Sequence, residues 1–541
     1  MSILANLFVK TVAFISSLRE INYFSFTLYE KNFTYTPVIT LLLAAFFILC
    51  LKNYFKIERW NGPADTIYAA HRTDNELNEK VGYLSSIIAL LSASGGASVG
   101  QYGPLVHLGG TIGTTFKRYS KELLTTDVFL GCGVAGAISA GFGAPLAGII
   151  FAHEAILRHF SMRALAPITI SSFTATATSN AFFEDNTLFK VDNISHSLFE
   201  VLPITLLSGP IFALVAILFM ISIRAFTKFF INQKTSPTYL IFFGAIVCGV
   251  TGIFFPEILG LGTETVSEML NNDITLKLLI VIFILKILMT SLCLSCGLFG
   301  GVFSPALFVG TSAGTILGKI LLFFGLNAGI TILPFCGMAA VGGAIIGAPI
   351  SAVIIILEIT NSYEFGLVTM ASVAGCCLIT HLFFGHSFFD RQLVDRGINI
   401  HLGRGHLKLM EEEIGKYSSK NFCMLSETSS VKNSLKQMIN QKVTEAYILK
   451  DKNIFIGKVI INDLINADDN QNILKFIQKN PLTLTSDTSV LQGIEACKNF
   501  VGESIPVLDN KKTEITGVIS EADLFSAYLD LDKKIRDLES G

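Results

Sequence analysis

Long apolar runs without charged residues recur through the first 400 positions of the chain. Six of these runs are 81–116, 128–153, 205–223, 287–318, 320–357 and 365–389. A helix needs roughly 20 mostly apolar residues to cross a bilayer, so these runs and further stretches predict roughly ten or more membrane helices. The further stretches are 37–51, 164–182, 237–255 and 272–286.

The apolar run 7–18 stands near the start of the chain. It contains Lys10 and lacks a small-residue cleavage site. These features favour a short first membrane helix over a signal peptide.

Charge divides the chain in two. Residues 401–541 contain 38 Asp, Glu, Lys and Arg, about 27%, against 44, about 11%, in the first 400. This break predicts a membrane domain over 1–400 followed by a soluble part. The net charge of −2 gives no basic balance that would indicate nucleic acid as a partner.

An internal repeat organises the membrane domain. Residues 132–154 match residues 336–358 without a gap, and a second pair of segments precedes them in the same order. The repeat predicts two halves, about 37–200 and 201–400. Matching pairs include Cys132/Cys336, Gly133/Gly337, Ala135/Ala339, Gly143/Gly347, Ala144/Ala348, Pro145/Pro349 and Glu154/Glu358, and Gly100, Pro104, Gly109 and Gly113 share their spacing with Gly301, Pro305, Gly310 and Gly314.

Duplicated halves with Gly- and Pro-rich breaks are typical of transporters. Inverted-topology repeats place a binding site near the midplane, where broken helices end. Breaks at 95–104 and 297–305 would leave free N–H groups at restarting helices, where Pro104 and Pro305 are tolerated. Such N-termini attract anions. The long runs contain no Asp or Glu for a cation path, so the sequence predicts an anion pathway between two inverted repeats with broken helices.

Ten cysteines are scattered along the chain, and Cys293 and Cys296 form a C-x-x-C pair. The pair lies in an apolar run, which favours small packing residues over a metal or redox site. A membrane enzyme or receptor that used these cysteines and the histidines would need a catalytic constellation, and the sequence offers none. We therefore expect no enzyme activity and no metal site.

Several segments resemble one family. GGASVGQYGPLVHLGG, 95–110, resembles the G-[KR]-E-G-P segment of the CLC chloride channel and transporter family, and GLFGGVFSPALFVG, 297–310, resembles its G-x-F-x-P segment. NGPADTIYAAHR, 61–72, is similar to a divergent form of the first anion-binding segment, and GHSFFDRQL, 385–393, falls among the later membrane helices. The resemblance implies a homodimer in a lipid bilayer, with a chloride pore in each subunit.

The resemblance also implies which residues line the anion pathway. The gating glutamate of the family falls at Tyr102, and the central serine falls near Trp60 or Asn61. The central tyrosine falls at Phe389, and the inner proton-transfer glutamate at Ala155. The implied pathway residues are Asn61, Gly62, Gly100, Gln101, Tyr102, Gly103, Pro104, Gly301, Val302, Phe303 and Phe389.

Both carboxylates needed for proton coupling are thus replaced. Proton transfer through a dry membrane needs titratable groups in series. We expect passive chloride conduction without proton coupling. The alternative is a chloride/proton antiporter that uses other groups, such as Glu154 or His153. The favoured interpretation of these groups is structural. His107 and His153 are expected to be hydrogen-bonded packing residues, and Glu154 and Glu358 are expected to pair at helix ends.

The soluble part carries its own repeat. IGKVIINDL, 456–464, matches TGVISEADL, 516–524, and each unit is expected to contain a turn, a helix, two short strands and a helix. This resembles a pair of CBS units, about 420–470 and 480–530, after a linker at 401–419 and before a charged tail at 531–541. The resemblance implies an α+β tail in the cytoplasm, here of a bacterial inner membrane.

The CBS resemblance also implies a candidate nucleotide site. Ser520 and Asp523 of the second unit match the positions that hold an adenosine nucleotide, whereas Ile460 replaces the hydroxyl in the first unit. A structural, dimer-stabilising tail is the favoured interpretation. Apart from this nucleotide, no cofactor is expected.

Overall fold

The computed structural model describes residues 1–19, 25–28, 31–72, 76–120, 124–183, 198–233, 235–327, 329–450 and 454–540. The chain forms two compact units. One contains Met1–Ala70 and Asp74–Ile398, and the other contains His71–Thr73 and Asn399–Gly541.

The first half of the membrane unit consists of helices and one short hairpin. A π-helical turn, Ala152–Leu157, continues its seventh helix. The elements are α1 (Ser2–Arg19), β1 (Ser25–Leu28), β2 (Lys31–Thr34), α2 (Thr36–Phe55), α3 (Pro63–His71), α4 (Glu79–Gly95), α5 (Tyr102–Lys117), α6 (Thr126–Phe142), α7 (Pro145–Phe151) and α8 (Met162–Phe182).

The second half repeats this pattern of long and short helices. Its helices are α9 (Leu198–Asn232), α10 (Pro237–Phe254), α11 (Thr263–Leu270), α12 (Leu276–Cys296), α13 (Phe303–Phe323), α14 (Gly329–Ile346), α15 (Pro349–Thr360), α16 (Tyr363–Phe384) and α17 (Phe388–Val394).

Among the described residues, seven helical segments are long and apolar enough to cross a membrane. Four further apolar helices are shorter, and one of these, Ser2–Leu18, covers the predicted first helix. The sequence predicted roughly ten or more full spans. The difference arises because glycine and proline divide the apolar runs: the run 81–116 forms both α4 and α5, and the run 320–357 forms parts of α13 to α15.

The two halves pack in the same way around their glycines. A Cβ atom on Gly109 of α5 would lie 2.4 Å from the Gly133 carbonyl oxygen of α6. In the second half, a Cβ on Gly310 of α13 would lie 2.2 Å from the Gly337 carbonyl oxygen of α14. Only glycine permits this approach of two backbones, so the matched glycines of the repeat fix equivalent helix pairs.

The C-terminal unit contains two small three-stranded sheets. In each, the first two strands are parallel and the last two antiparallel. Its elements are α18 (Gly403–Glu411), β3 (Met424–Ser426), α19 (Val431–Gln441), β4 (Glu445–Lys450), β5 (Ile454–Ile460), α20 (Ile461–Ile465), β6 (Leu484–Thr485), α21 (Val490–Cys497), β7 (Ile505–Leu508), β8 (Ile515–Ile519) and α22 (Glu521–Ser540).

Three details of the C-terminal unit differ from the sequence-based expectation. Each sheet has a third short strand, β3 or β6, where the sequence predicted two. The expected linker 401–419 is folded. Leu409 of α18 and Ile414, which follows this helix, both lie in the apolar core that contains Val490 and Ile519. Helix α22 extends through most of the expected charged tail because Leu531 is buried in the same core. Burying apolar side chains at these positions lowers the free energy of the folded chain relative to leaving them in water.

The two sheets are joined by polar contacts around Tyr447. Its hydroxyl donates to the Ser504 carbonyl oxygen at 2.9 Å. Burial raises the pKa of Tyr447, so the hydroxyl stays a neutral donor. Beside it, the buried Lys458 ammonium donates to Glu445 at 2.9 Å and lies over the Phe500 ring. These contacts connect the first repeat of the tail to the loop before β7.

Candidate anion site

The two broken-helix segments meet at their glycines. The Gly100 amide donates to the Gly301 carbonyl oxygen at 2.7 Å, and the Gly301 amide donates to Gly100 at the same distance. This antiparallel bridge precedes α5 and α13, so the two N-termini start side by side. The first amides of a helix have no carbonyl partner within it, and the helix dipole adds positive potential there. The crossing therefore offers anion-binding groups from both halves.

The crossing leaves little room beyond the backbone. A Cβ on Gly103 would lie 3.0 Å from the Gly301 Cα and 3.3 Å from Pro63 of α3. A Cβ on Gly301 would lie 3.0 Å from the Pro104 Cδ. The structure thus brings one group of the predicted pathway residues together. This group consists of Gly100, Gln101, Tyr102, Gly103, Pro104, Gly301, Val302 and Phe303.

An aromatic cluster stands at the start of both helices. The Tyr102 ring stacks on Phe142 with centroids 3.9 Å apart and meets Phe303 edge-on at 5.6 Å. Phe303 also lies 5.3 Å from Phe142 and 6.3 Å from Phe151. Tyr102 is 2% exposed. A large uncharged ring therefore occupies the position from which a carboxylate would compete with an anion.

The first predicted segment, at α3, is arranged differently from expectation. The Gly62 amide donates to the Asp65 carboxylate at 2.8 Å, and the Asn61 amide donates to Ser85 at 2.9 Å. Asp65 also accepts from Arg59 at 2.5 Å and Arg396 at 2.9 Å. Because a side chain of the same helix already caps this N-terminus, the Gly62 N–H is not available to an anion. Gly62 lies near the second broken segment, since a Cβ on it would lie 3.8 Å from the Phe299 Cζ, and the next residue, Pro63, approaches Gly103.

Phe389 lies at the start of α17. It is 5% exposed and its ring meets Phe388 at 5.8 Å. The next residue, Asp390, accepts from Arg158, which follows the π-helical turn, and from the Ser387 hydroxyl at 2.8 Å. This ion pair ties α17 to the end of the first-half helix α7. Phe389 is therefore held beside a charged pair rather than in the aromatic cluster at the crossing.

Comparison with known proteins agrees with this geometry. The sequence model of the family described as "Voltage gated chloride channel" matches residues 40–381, more than half of the chain. The chain belongs to the voltage gated chloride channel family. A CBS domain model matches residues 473–530, the second repeat of the tail.

Similar proteins include channels and antiporters. The voltage-gated ClC-type chloride channel ClcB of Escherichia coli (strain SMS-3-5 / SECEC) is 27% identical over 325 residues, which cover 60% of this chain and 78% of ClcB. A slow cyanobacterial Cl⁻/H⁺ antiporter matches with TM-score 0.64 and 18% identity over 73% of this chain and 95% of its own. A eukaryotic CLC transporter matches with TM-score 0.60 and 17% identity over 96% of this chain and 95% of its own. The chain is thus an integral multi-pass membrane protein with the CLC fold and a C-terminal CBS pair.

The two repeat-matched glutamates of this family member cap each other's helices. The Glu154 carboxylate accepts from the Ile350 amide at 2.9 Å, and from the amide and hydroxyl of Ser351 at 2.8 and 2.6 Å. Glu358 accepts from the Leu146 and Ala147 amides at 2.9 and 2.8 Å. Each carboxylate therefore satisfies the first amides of the short helix in the opposite half. The structure shows the helix-end pairing of both glutamates.

His107 and His153, the two histidines considered as proton relays, are each hydrogen-bonded through one ring nitrogen. His107 Nδ1 lies 2.7 Å from the Thr66 hydroxyl, and His153 Nδ1 lies 3.0 Å from the His159 carbonyl oxygen. Their Nε2 atoms are buried without a partner among the described residues. Cys293 and Cys296 are buried in the last turn of α12. Within the described part of the chain, no cluster of three or more His, Cys, Asp and Glu could hold a metal ion.

Two parts of the site were missed from the sequence. Lys286 of α12 is fully buried, donates to the Ile258 and Gly260 carbonyl oxygens at 2.9 and 3.0 Å, and lies 4.7 Å from the Phe308 ring centre. Gly260 in turn donates to the Gly96 carbonyl oxygen, next to the crossing. A lysine at the end of an apolar stretch was the available signal. The sequence around Phe142 gave no signal of its role, because the contact of Phe142 with Tyr102 depends on how α6 packs.

Proposed function

We propose that this chain conducts chloride passively, without coupling to protons. The observation that carries the proposal is Tyr102, whose ring fills the start of α5 against Phe142 and Phe303. A neutral phenol neither competes with chloride as a bound anion nor carries protons near neutral pH, since tyrosine titrates near pH 10. Ala155, inside the π-helical turn, likewise has no group that titrates.

The contacts of Glu154 favour the passive mode over the antiporter alternative. Its carboxylate is engaged by three donors at the N-terminus of α15. Protonating it would break charge-assisted hydrogen bonds, which are stronger than neutral ones. His153, the other candidate, packs on Phe160 with ring centroids 5.1 Å apart. These contacts support helix capping for Glu154 and packing for His153.

Chloride flux in sealed liposomes tests the proposal. The full-length protein should carry chloride down its gradient at a clamped voltage, with proton movement no larger than in empty vesicles. The matched control is the same protein with a nonpermeant anion, which removes chloride as a driving ion. Stoichiometric proton uptake driven uphill by chloride would support the antiporter alternative instead.

Assembly and location follow from the same proposal. We infer a homodimer in a bacterial inner membrane, with the tail in the cytoplasm and with chloride and lipid as partners. The related ClcB is a chloride channel of a bacterium, which supports this location. The site carries anion-binding groups and we assign it no enzymatic reaction.

We infer that the tail is a structural element rather than a nucleotide sensor. Asp523 accepts from the amide and hydroxyl of Ser520 at 2.9 and 2.7 Å, and the Asp523 amide donates back at 3.2 Å. This reciprocal capping starts α22 and engages the groups that would hold an adenosine nucleotide. In the first unit, Ile460 precedes α20 without a side-chain cap.

Titration of the full-length protein with ATP, ADP and AMP tests this inference, and we expect no binding by calorimetry. If a nucleotide does bind, Asp523→Ala should weaken it by about one to two decades, because a charge-assisted hydrogen bond is worth roughly 1.5–3 kcal/mol. Asp463→Ala is the matched change in the first unit and should matter less. Equal losses from both changes would contradict the view that the first unit is defective.

A further inference from the structure

The crossing of α5 and α13 contains two buried polar side chains, those of Ser304 and Gln101. Ser304 is the second residue of α13 and is 6% exposed, and Gln101 directly precedes α5 and is 1% exposed. The Ser304 hydroxyl and the Gln101 amide oxygen are both buried without a hydrogen-bond partner among the described residues. A buried donor left in this state is costly, so the Ser304 hydroxyl points to an acceptor that the described residues do not supply, whereas the Gln101 oxygen is itself an acceptor and cannot bind an anion.

The Ser304 hydroxyl lies directly at the crossing. A Cβ on Gly100 would lie 2.9 Å from the Ser304 hydroxyl oxygen and 2.9 Å from the Ser304 amide nitrogen. The hydroxyl and the amide thus converge on the same side of the Gly100–Gly301 bridge. The amide is one of the first of α13 and has no carbonyl partner inside the helix. Two donors of one residue therefore stand together at a positive helix end.

The Ser304 hydroxyl has no counterpart in the first half of the repeat. The spacing that pairs Gly100 with Gly301 and Pro104 with Pro305 also pairs Ser304 with Gly103, which has no side chain. The backbone donors of the crossing are therefore duplicated in the two halves, whereas the hydroxyl donor occurs in the second half only. The hydroxyl therefore adds a side-chain donor to a site whose other donors are backbone amides.

We propose that the Ser304 hydroxyl donates a hydrogen bond to the permeating anion and makes the crossing select small anions over large ones. The proposal rests on the anion conduction proposed above. A hydrogen bond to a charged acceptor strengthens as the acceptor's charge is more concentrated, so chloride gains more from the hydroxyl than iodide does. The Gln101 side chain already hydrogen-bonds with Tyr102, so the proposal rests on the Ser304 hydroxyl.

The test is the chloride-to-iodide flux ratio of the full-length protein in liposomes. Ser304→Ala should lower this ratio several-fold, by up to about tenfold, because chloride loses one charge-assisted hydrogen bond and iodide loses a weaker one. Ser312→Ala is the matched control on the same helix, because the buried Ser312 hydroxyl already donates to the Phe308 carbonyl oxygen at 2.8 Å. It should leave the ratio within about twofold of wild type.

Chloride binding provides a second, independent measurement. By calorimetry on the purified full-length protein, Ser304→Ala should raise the chloride Kd by about tenfold and the iodide Kd by less. An unchanged ratio together with an unchanged chloride Kd, in a variant that melts like wild type, would overturn the proposal and leave a water as the partner of the hydroxyl. If the wild type itself carried no anion, the proposed function would fail rather than the role of Ser304.

Discussion

Tyr102→Glu is expected to convert a flux that hardly depends on pH into one that rises steeply in acid. Wild-type flux should change little between about pH 5 and 8, where a tyrosine stays neutral. A glutamate at the start of α5 would be an anion at the positive ends of two helices and would compete with chloride there. Protonation removes that competitor, so flux should rise by up to about tenfold per pH unit above the glutamate pKa.

Tyr102→Gln is the matched control, because glutamine has the shape of glutamate without its charge. Both substitutions remove the ring that stacks on Phe142, so both lose the same packing. Only the glutamate variant should gain the acid dependence. The same steep dependence in the glutamine variant, or in the wild type, would show that residue 102 is not the gating position.

Lys286→Met is expected to lower the apparent melting temperature and the chloride flux together. The substitution keeps an unbranched side chain but leaves the carbonyl oxygens of Ile258 and Gly260 without their donor. Each such bond to a charged group is worth roughly 1.5–3 kcal/mol, so a loss of several degrees is expected. Flux should fall as well, because Gly260 holds Gly96 at the entry to the crossing.

The control for this position is Lys277→Met, about two and a half turns earlier on the same helix. Lys277 is exposed and the change should leave both the melting temperature and the flux near wild type. Lys286→Arg retains a buried cation and several donors, so it should recover part of the stability. Unchanged stability in Lys286→Met would show that the two carbonyl oxygens find other donors and that the lysine does not anchor this loop.

The sequence by itself determined the membrane class, the duplication and the place of the helix breaks. Charge-free runs can only be buried in lipid or protein, and the gapless match of 132–154 with 336–358 requires two equivalent helix pairs. Glycine and proline at 95–104 and 297–305 cannot continue a helix easily, so the breaks were predictable. The family followed from the same segments, because its motifs are these breaks.

The tertiary structure alone decided which groups meet at the breaks. Sequence spacing could not show that Asp65 caps Gly62, because the carboxylate is held there by Arg59 and by Arg396, which is more than 300 residues away. The folded segment 401–419 depends on apolar contacts with the second repeat, and the third strand of each sheet depends on the parallel pairing of β3 with β4 and of β6 with β7.

Long-range pairs explain the remaining differences between sequence and structure. Glu154 and Glu358 matched as repeat mates, yet only packing of α7 against α15 brings each carboxylate to the other's helix start. The contact of Tyr102 with Phe142 and the loop held by Lys286 arise in the same way. Periodicity reports which residues are buried, whereas the partner of a buried polar group is set by which helices cross, and only the folded chain fixes that.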